Sequence, residues 1–491
     1  MGWSSSNTSS GGGGGGSVNS VTGLNTDNTD PTNPIVQISV DGTTITGAGT
    51  PASPLQANFT LRGTNYLTVL AQGTPKENGQ ELISAFNTAK AMTPNGSPLS
   101  RTNRVTIYIA SGYFDMDEAI NGQFVINTSF IDFVSLSGEK DVYLSSIEVL
   151  SNASIGIDIL INGIDITING YYTDKAFAVA SSGAPFENIV IKNCKGGRYS
   201  FGAFGSGFRG LYENCIGGNY SFCYIPDNTP PTGMTLPFFY TGSFDNFGII
   251  RNCTADLGFV GSDVSIVGVN PIVRNLGTIE NCTSLDIGFC VSYYTCFNLG
   301  TIKNCIARQG FCYSFYASRN LGTIENCTAL GGSAFCFTFE YVDGNGLSFN
   351  GGVIQNCNSG DSFSFCFYRG NSTQIYSAQN LGRIINCQVY TASGTIGCFC
   401  YNSIPEGGYN EGYILDCNAV LTDGAFCGKN GENAGVIQSC TANSSAFCSN
   451  NLGGIGYIIY RCTILQGAWN VGTTGGGKVL LGIDSTGIVN L

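Results

Sequence analysis

The feature that most constrains the fold of this chain is a short phrase that recurs at a nearly fixed spacing. Its clearest copies begin at Leu276, Leu299 and Leu321 and read Leu-Gly-Thr-Ile-Glu/Lys-Asn-Cys. About eleven copies, most of them degraded, end in the following cysteines: Cys194, Cys215, Cys253, Cys282, Cys305, Cys327, Cys357, Cys387, Cys417, Cys440 and Cys462. The spacing between successive cysteines is about 22 residues at its shortest and is longer in some repeats. This pattern predicts one structural unit per repeat, with insertions at one corner.

Each repeat consists of short β-branched or aromatic segments separated by Gly and Asn. The segments are too short for helices and show no 3.6-residue period. One repeat cannot bury its own apolar side chains, but parallel stacking at about 4.8 Å pairs each strand with its successor and builds a continuous core. The sequence therefore predicts an all-β chain that forms a parallel β-helix with about 22–30 residues per coil.

Composition excludes several classes of function. The net charge of −12 disfavours binding to nucleic acid or to anionic membranes. The chain has no histidine, which removes the commonest general base and zinc ligand. No apolar run reaches membrane-spanning length, and the N-terminus lacks a signal-peptide pattern. We therefore expect no catalytic residue, cofactor or metal site, no nucleic-acid partner and no membrane insertion.

The asparagine that precedes each repeat cysteine is predicted to break the strand alternation. Strict alternation would expose Cys282 beside the outward Glu280, and the same would hold in every coil. Asn tolerates the left-handed conformation, which would turn the cysteine inward and let the asparagines stack as a hydrogen-bonded ladder. The 21 cysteines then form mainly a buried, reduced stack, with a few disulfides left open. Asn-Cys-Thr sequons at residues 252, 281 and 326 are discounted because the turn is expected to be buried.

A second motif places Phe directly before Cys in most coils, as in Phe289-Cys290 and Phe335-Cys336. Because neighbouring residues of a strand face opposite sides, one of the two columns is expected to point outward. An apolar outer face needs a cover, and a second copy of the chain is the simplest one. The motif therefore predicts a homo-oligomer.

One helix is predicted, over residues 79–92, with Leu82, Ala85, Phe86 and Ala89 on one face. Asn78 and Glu81 form the expected capping box, and residues 94–96 (Pro-Asn-Gly) end the helix. A helix followed by alternating strands from Val105 resembles the start of a pectin-lyase-like right-handed parallel β-helix. The resemblance implies that the helix caps the first coil.

Turn-rich segments at residues 21–31 and 38–50, with a hairpin expected at Asp41-Gly42, resemble the N-terminal modules of bacteriophage tail-fibre and tailspike appendages. The resemblance implies attachment to other virion proteins through this arm, and a homotrimer. The predicted divisions are a flexible Gly/Ser-rich leader (1–17), a virion-attachment hairpin module (18–62), the capping helix with the first coils (63–154), the Asn-Cys/Phe-Cys repeat (155–470) and a C-terminal cap (471–491).

Paired carboxylates would indicate a polysaccharide-cleaving β-helix. The acidic residues are scattered and mostly out of register: Asp256, Asp263, Glu280, Asp286, Glu340, Asp343, Asp361 and Asp423. Glu340 and Asp343 are the nearest pair, and solvated loops explain them better than catalysis does. Aromatic residues that follow the Phe-Cys positions are the candidate ligand or interface residues: Tyr293, Tyr294, Tyr313, Phe315, Tyr316, Tyr341 and Tyr368.

Three functions fit these features. The first is an exposed virion appendage, made in the host cytoplasm, whose β-helix carries loops that bind a host-surface glycan or protein. The second is a tailspike that also cleaves host polysaccharide. The third is a cellular surface adhesin or filament subunit, which should carry a secretion or anchoring signal.

Overall fold

The computed structural model describes most of the chain from residue 65 onward and four short strands before it. The described residues are 25–27, 35–37, 45–46, 56–57, 65–121, 124–151, 157–167, 177–181, 186–197, 200–204, 207–219, 221–225, 244–262, 272–292, 294–314, 316–331, 335–339, 347–360, 365–369, 378–389, 399–402, 409–423, 426, 432–444, 450–452, 458–466, 472–474, 478–480, 482–484 and 487–489. The chain divides into two units, Met1–Leu61 and Arg62–Leu491. The predicted leader, 1–17, lies outside the described residues.

The N-terminal unit contains two antiparallel strand pairs. Asn25–Asp27 pairs with Ile35–Gln37, and Ile45–Thr46 pairs with Gln56–Ala57. A hairpin at Asp41-Gly42 would pair the strand before it with the strand after it. In the structure, Ile35–Gln37 and Ile45–Thr46 flank this position, and each pairs with a different strand. Residues 38–44 themselves lie outside the described part.

The large unit is a parallel β-helix, as the repeat predicts. A typical coil has four strands, which we name a (Ile272–Asn275), b (Thr278–Glu280), c (Thr283–Ser284) and d (Gly288–Ser292). Each pairs in parallel with the same strand of the next coil, for example Ile279 with Ile302. Stacking therefore satisfies the backbone groups that one coil leaves unpaired.

The strands of the large unit fall into four columns, one for each of the coil positions a to d. In the first coils, a single strand takes the place of a and b: Tyr66–Val69, Val105–Ile109, Ile131–Ser135, Ile159–Asn162, Phe186–Lys192 and Phe208–Glu213. The a strands are Phe244–Asn246, Ile272–Asn275, Thr295–Asn298, Ala317–Asn320, Leu347–Asn350, Ala378–Asn380, Tyr409–Asn410, Glu432–Asn433, Asn450–Leu452 and Gly472–Thr474. The b strands are Ile249–Arg251, Thr278–Glu280, Thr301–Lys303, Thr323–Glu325, Val353–Gln355, Arg383–Ile385, Tyr413–Leu415, Val436–Gln438, Ile458–Tyr460 and Lys478–Leu480.

Columns c and d complete the coils. The c strands are Gly112–Phe114, Val142–Leu144, Ile164–Asp165, Ile216–Gly217, Thr254–Ala255, Thr283–Ser284, Ile306–Ala307, Thr328–Ala329, Asn358–Ser359, Gln388–Val389, Asn418–Asp423, Thr441–Ser444, Thr463–Gln466, Gly482–Asp484 and Gly487–Val489. The d strands are Val125–Ile126, Ile147–Ser151, Phe177–Ser181, Gly202–Phe204, Tyr224–Ile225, Gly258–Ser262, Gly288–Ser292, Cys312–Ser314, Cys336–Phe339, Cys366–Arg369 and Cys400–Asn402. Column c ends in an antiparallel pair, Gly482–Asp484 with Gly487–Val489.

The repeated phrase follows from backbone demands at each position. The glycine at the a-to-b bend lies against the preceding coil: a Cβ on Gly300 would come within 2.1 Å of the carbonyl oxygen of Gly277. Ile302 points into the core and is fully buried. Asn304 has φ +53°, in the left-handed region, and Cys305 is 1% exposed. The predicted break in alternation at Asn is therefore confirmed, and it turns the cysteine inward.

Asparagines form two ladders, of which the sequence predicted one. In the predicted outer ladder, Asn281 Nδ2 donates to Asn252 Oδ1 at 3.2 Å, and Asn304 Nδ2 donates to Asn281 Oδ1 at 3.1 Å. These side chains are exposed, so the expectation that the sequon asparagines lie in a buried turn is wrong. The second ladder lies inside, at the end of strand a. It consists of Asn246, Asn275, Asn298, Asn320, Asn350, Asn380, Asn410 and Asn433.

The Phe-Cys motif is buried in both columns, which corrects the expectation that one of them faces outward. Phe289 and Cys290 are both 0% exposed, as are Phe335 and Cys336. The phenylalanine lies in the core at the start of strand d, and Cys290 has φ +47°, so that consecutive side chains both face inward. The rings stack from coil to coil with centroids 4.7–5.2 Å apart: Phe222, Phe259, Phe289, Phe311, Phe335, Phe365, Phe399 and Phe426.

The N-terminal helix α1 spans Pro75–Ala91 and packs on the first coils through the buried Leu82, Phe86 and Ala89, whereas Ala85 is half-buried. Its capping box is formed by Thr74 and Glu77 rather than Asn78 and Glu81, because Pro75 starts the helix four residues earlier than predicted. A 3₁₀ turn follows at Pro94–Gly96, and a short helix α2, Met116–Ile120, was not anticipated.

Candidate functional site

Coil length varies mainly at one corner, between strand d and the next strand a. The b-to-c connection has two residues in every coil from Glu213 to Thr463. By contrast, the d-to-a connection has two residues after Ser292 and after Ser314, but eight after Arg369 and eighteen after Ile225. A second insertion point precedes Cys400, where ten residues follow Val389. The predicted insertions therefore emerge from the shaft mainly at the d-to-a corner, which we call the loop corner.

Two of the predicted aromatic residues meet at the loop corner. The rings of Tyr294 and Tyr316 stack with centroids 5.0 Å apart and 13° between their planes. Both side chains are half-buried, and the backbone N–H of Tyr316 donates to the carbonyl oxygen of Tyr294 at 3.2 Å. Two short connections in succession thus place a pair of stacked phenol rings between the longer insertions.

The other predicted aromatic residues divide into two groups. Tyr313 is half-buried on a d strand, where it pairs with Val291 and Phe337. The backbone of Tyr368 pairs with that of Thr338, and its side chain lies outside the described part. Tyr293, Phe315 and Tyr341 lie outside the described residues altogether. The structure therefore brings Tyr294 and Tyr316 together, with Tyr313 on the adjacent strand.

The described acidic candidates are not drawn together. Glu280 is paired with Lys303 at 2.6 Å, and Asp286 lies 3.5 Å from Arg308. Asp256 is half-buried on a different coil. Asp263, Glu340, Asp343 and Asp361, and the side chain of Asp423, lie outside the described part. Within the part of the chain that the structure describes, no cluster of three Cys, Asp or Glu side chains is placed to hold a metal ion.

The outer face of the b strands carries a charge ladder in the middle coils. One outward position is occupied in successive coils by Lys192, Glu213, Arg251, Glu280, Lys303, Glu325 and Gln355. Glu213 accepts from both neighbours, with Lys192 Nζ at 2.7 Å. These hydrogen bonds, the one from Lys192 first, hold the pKa of the Glu213 carboxyl below its usual value.

This polar ladder gives way to a groove in the last coils, which sequence reasoning missed. After Gln355 the same outward position becomes Ile385, Leu415, Gln438 and Tyr460. A concavity of about 750 Å³ lies here, which we call the b-face groove. It is lined by Arg383, Tyr413, Leu415, Val436, Gln438, Ile458 and Tyr460. The available signal was the loss of Glu and Lys at this repeat position after residue 355.

The buried cysteines are poorly suited to act as nucleophiles, for physical reasons. Cys282 Sγ lies 3.2 Å from the carbonyl oxygen of Glu280 and is 1% exposed. Burial away from any cation raises the pKa of thiols such as Cys282 and Cys223, because the thiolate loses its hydration. All sixteen cysteines whose side chains are described are free and buried. The thiols whose pKa is raised, such as Cys282 and Cys223, therefore remain protonated as members of the core.

No described helix is long and apolar enough to span a bilayer. No protein-family model matches the chain, and comparison with curated proteins and with solved structures gives no significant match.

Proposed function

We propose that this chain is the shaft and binding element of a virion appendage of the tail-fibre or tailspike type. In this proposal the β-helix holds receptor-binding loops away from the particle, the N-terminal arm attaches to another virion protein, and the loops contact a glycan or protein of the host surface. The appendage would be assembled in the host cytoplasm and exposed on the released virion.

The observation that carries the proposal is the contrast between an invariant shaft and variable loops. The a-to-b connection is two residues long in eight consecutive coils, from Asn246 to Val436, while the d-to-a connection ranges from two to eighteen residues. Buried ladders of Asn, Cys and Phe fix the register of the coils, so insertions at the loop corner leave the core unchanged. Loops on a rigid scaffold are the usual position of binding residues.

The aromatic pair at the loop corner supports a role in attachment. Aromatic rings offer a large contact area with little loss of conformational entropy, and stacking between Tyr294 and Tyr316 fixes their orientation further. A rigid aromatic surface beside long insertions suits recognition of a sugar ring or a protein side chain.

The test uses the purified full-length chain as a competitor. Host cells treated with the protein should adsorb fewer particles, and gold-labelled antibody against the chain should mark the outside of intact virions. A variant carrying Tyr294→Ala and Tyr316→Ala should compete at least about tenfold less well. Thr301→Ala, at an outward position of a b strand, is the matched control. Labelling of no virion surface, or full competition by the double variant, would contradict the proposal.

A homotrimer remains part of the proposal, but the apolar surface that it would cover is not the Phe-Cys motif. The Phe-Cys columns are buried and need no cover. The a-to-b bend instead presents an outer apolar row, in which Phe247, Leu276, Leu299, Leu321 and Leu381 are 36–43% exposed. Mass measurement in dilute solution should give three copies, and Leu299→Lys with Leu321→Lys should shift the mass toward one copy. A monomeric parent protein would overturn the trimer.

A further inference from the structure

We propose that the b-face groove binds a segment of an acidic glycan, with Tyr413 and Tyr460 stacking on sugar rings and Arg383 pairing with a sugar carboxylate. This inference rests on the proposed function in one respect, since host attachment is what would present such a glycan. It concerns a face of the shaft distinct from the loop corner.

The groove is built on regular, rigid strands. Arg383, Tyr413, Val436 and Ile458 occupy one outward position of four consecutive b strands, and each pairs in parallel with the next. Three strand-to-strand steps span about 14 Å, a length that accommodates a short oligosaccharide lying along the shaft. Because these strands are paired with the strands of neighbouring coils, their backbone does not have to become ordered when a ligand binds.

Its lining combines aromatic faces with hydrogen-bond donors. Tyr413 is 51% exposed one coil in from the Arg383 end of the groove, and Tyr460 lies at the other end in the adjacent outward column. Val436 and Leu415 are the apolar lining that we call the floor of the groove. Gln438 supplies an amide on this floor. Flat apolar rims with a few polar groups are typical of carbohydrate sites, because a pyranose has one apolar face and a polar edge.

The contrast with the middle coils argues against an ordinary solvated face. There the equivalent outward positions hold Thr278, Thr301 and Thr323, beside the ion pair of Glu280 with Lys303. In the groove, apolar and aromatic side chains fill most of both columns, beside Arg383 and Gln438, while the buried isoleucine and cysteine columns continue beneath them. The change in residue type is therefore confined to the outer surface, where packing of the core does not require apolar side chains.

The charge of the lining selects an acidic ligand. Arg383 is exposed and makes no ion pair with any described residue, in a chain of net charge −12. Arg461 lies next to the groove, with its guanidinium 4.9 Å from the centre of the Tyr460 ring. Two acidic residues, the exposed Glu411 and the half-buried Asp416, are close in sequence to Tyr413 and Leu415, but no acidic side chain is among the residues that line the groove. A planar guanidinium beside an aromatic face suits a sugar carboxylate.

The experiment compares two oligosaccharides that share a backbone. Isothermal titration of the full-length chain at near-physiological ionic strength should detect binding of β-1,4-linked hexaglucuronate. Cellohexaose, which lacks only the carboxylates, should bind at least about tenfold more weakly. Hexagalacturonate and a hyaluronan hexasaccharide test other linkages of acidic sugars. Binding of no acidic oligosaccharide, or equal binding of cellohexaose, would overturn the proposal.

Variants locate the site. Arg383→Gln and Tyr413→Ala should each weaken binding of the acidic oligosaccharide by about tenfold or more. Thr323→Ala, at the same outward position in an earlier coil, should leave binding unchanged, and an unaltered melting temperature shows that the variants are folded. Full binding by both groove variants would contradict the assignment. Loss of oligosaccharide binding with cell competition retained would separate this site from the loop corner, and failure of cell competition alone would count against the proposed function only.

Discussion

Asn298 donates through Nδ2 to Oδ1 of Asn320 at 2.8 Å, and both side chains are fully buried. Asn320 donates in turn to Asn350 at the same distance. A buried amide is tolerated only when its donors and acceptors are paired, and the coil repeat supplies an identical partner above and below. The inner ladder therefore specifies register, since a slipped coil would leave amides facing apolar side chains.

Asn320→Leu should destabilise the protein strongly, because it leaves a donor of Asn298 and the acceptor of Asn350 without their ladder partners. Two unsatisfied buried groups cost about 2–5 kcal/mol together. Denaturant unfolding of the variant measures the loss. Asn304→Gly in the exposed outer ladder is the control, because glycine keeps the left-handed backbone, and it should cost less than about 1 kcal/mol. Equal losses in the two variants would contradict a special role for the inner ladder.

Ser439 occupies the left-handed position that asparagine fills in earlier coils, with φ +53°. Asparagine tolerates this conformation better than serine, so Ser439→Asn should raise the free energy of unfolding by about 0.5–1 kcal/mol. Ser439→Val should lower it by at least about 1 kcal/mol, because β-branching is least compatible with positive φ. Thermal denaturation would show the two shifts in opposite directions. A stabilising valine would rule out backbone strain as the cause.

The sixteen described cysteines should be unreactive in the native protein. Each is buried, so a reagent in solution cannot reach the sulfur, and burial also raises the pKa of the Cys223 thiol. Titration with a thiol-specific chromogenic reagent should therefore find no more than the five remaining thiols in native buffer and all 21 in denaturant. Rapid reaction of more than five thiols in native buffer would show that some of the sixteen described cysteines are accessible to solvent.

Stability should depend on pH through Glu213. Hydrogen bonds from Lys192 and then Arg251 lower the pKa of this carboxyl in the folded state, below the ordinary value of 4.5. The folded form therefore binds the proton less readily than the unfolded form. The stabilisation is complete above pH 4.5 and is lost as pH falls below it, through the folded pKa.

Glu213→Gln should remove this contribution, so the variant and the parent protein should converge in stability at acid pH and diverge near neutrality. Urea midpoints at several pH values measure the difference. Glu81→Gln, on the exposed face of α1, changes the net charge equally and should show no such divergence. A pH-independent gap between Glu213→Gln and the parent would indicate a packing effect rather than ionisation.

The repeat architecture was predictable because its rules are local. The Cys282 spacing, the inward Ile279 and the left-handed Asn281 follow from alternation and from the tolerance of asparagine for positive φ. The same rule misled at Phe289-Cys290, because the positive φ of Cys290 breaks the alternation and lets two consecutive side chains face inward. The helix begins at Pro75, four residues before the predicted start, because proline is favoured at the first helical position, where its missing N–H leaves no hydrogen bond unmade.

Features that depend on neighbouring coils were harder to predict. The inner ladder through Asn275 and the close glycine contact at Gly277 appear in the sequence as part of the same phrase, but their roles require the partner coil. The b-face groove depends on which positions of distant segments become neighbours, as Tyr413 and Val436 do along the shaft. Among the predicted aromatic residues that the structure describes, Tyr294 and Tyr316 stack on each other.

The central claim is that equivalent residues of successive coils lie in straight columns inside one shaft. Anomalous diffraction from native sulfur tests it most directly. The account predicts that the eleven repeat cysteines, Cys194 to Cys462, give a single row of peaks at a coil spacing of about 4.8 Å, enclosed by protein density. Sulfur peaks scattered among separate lobes, or facing bulk solvent, would contradict it.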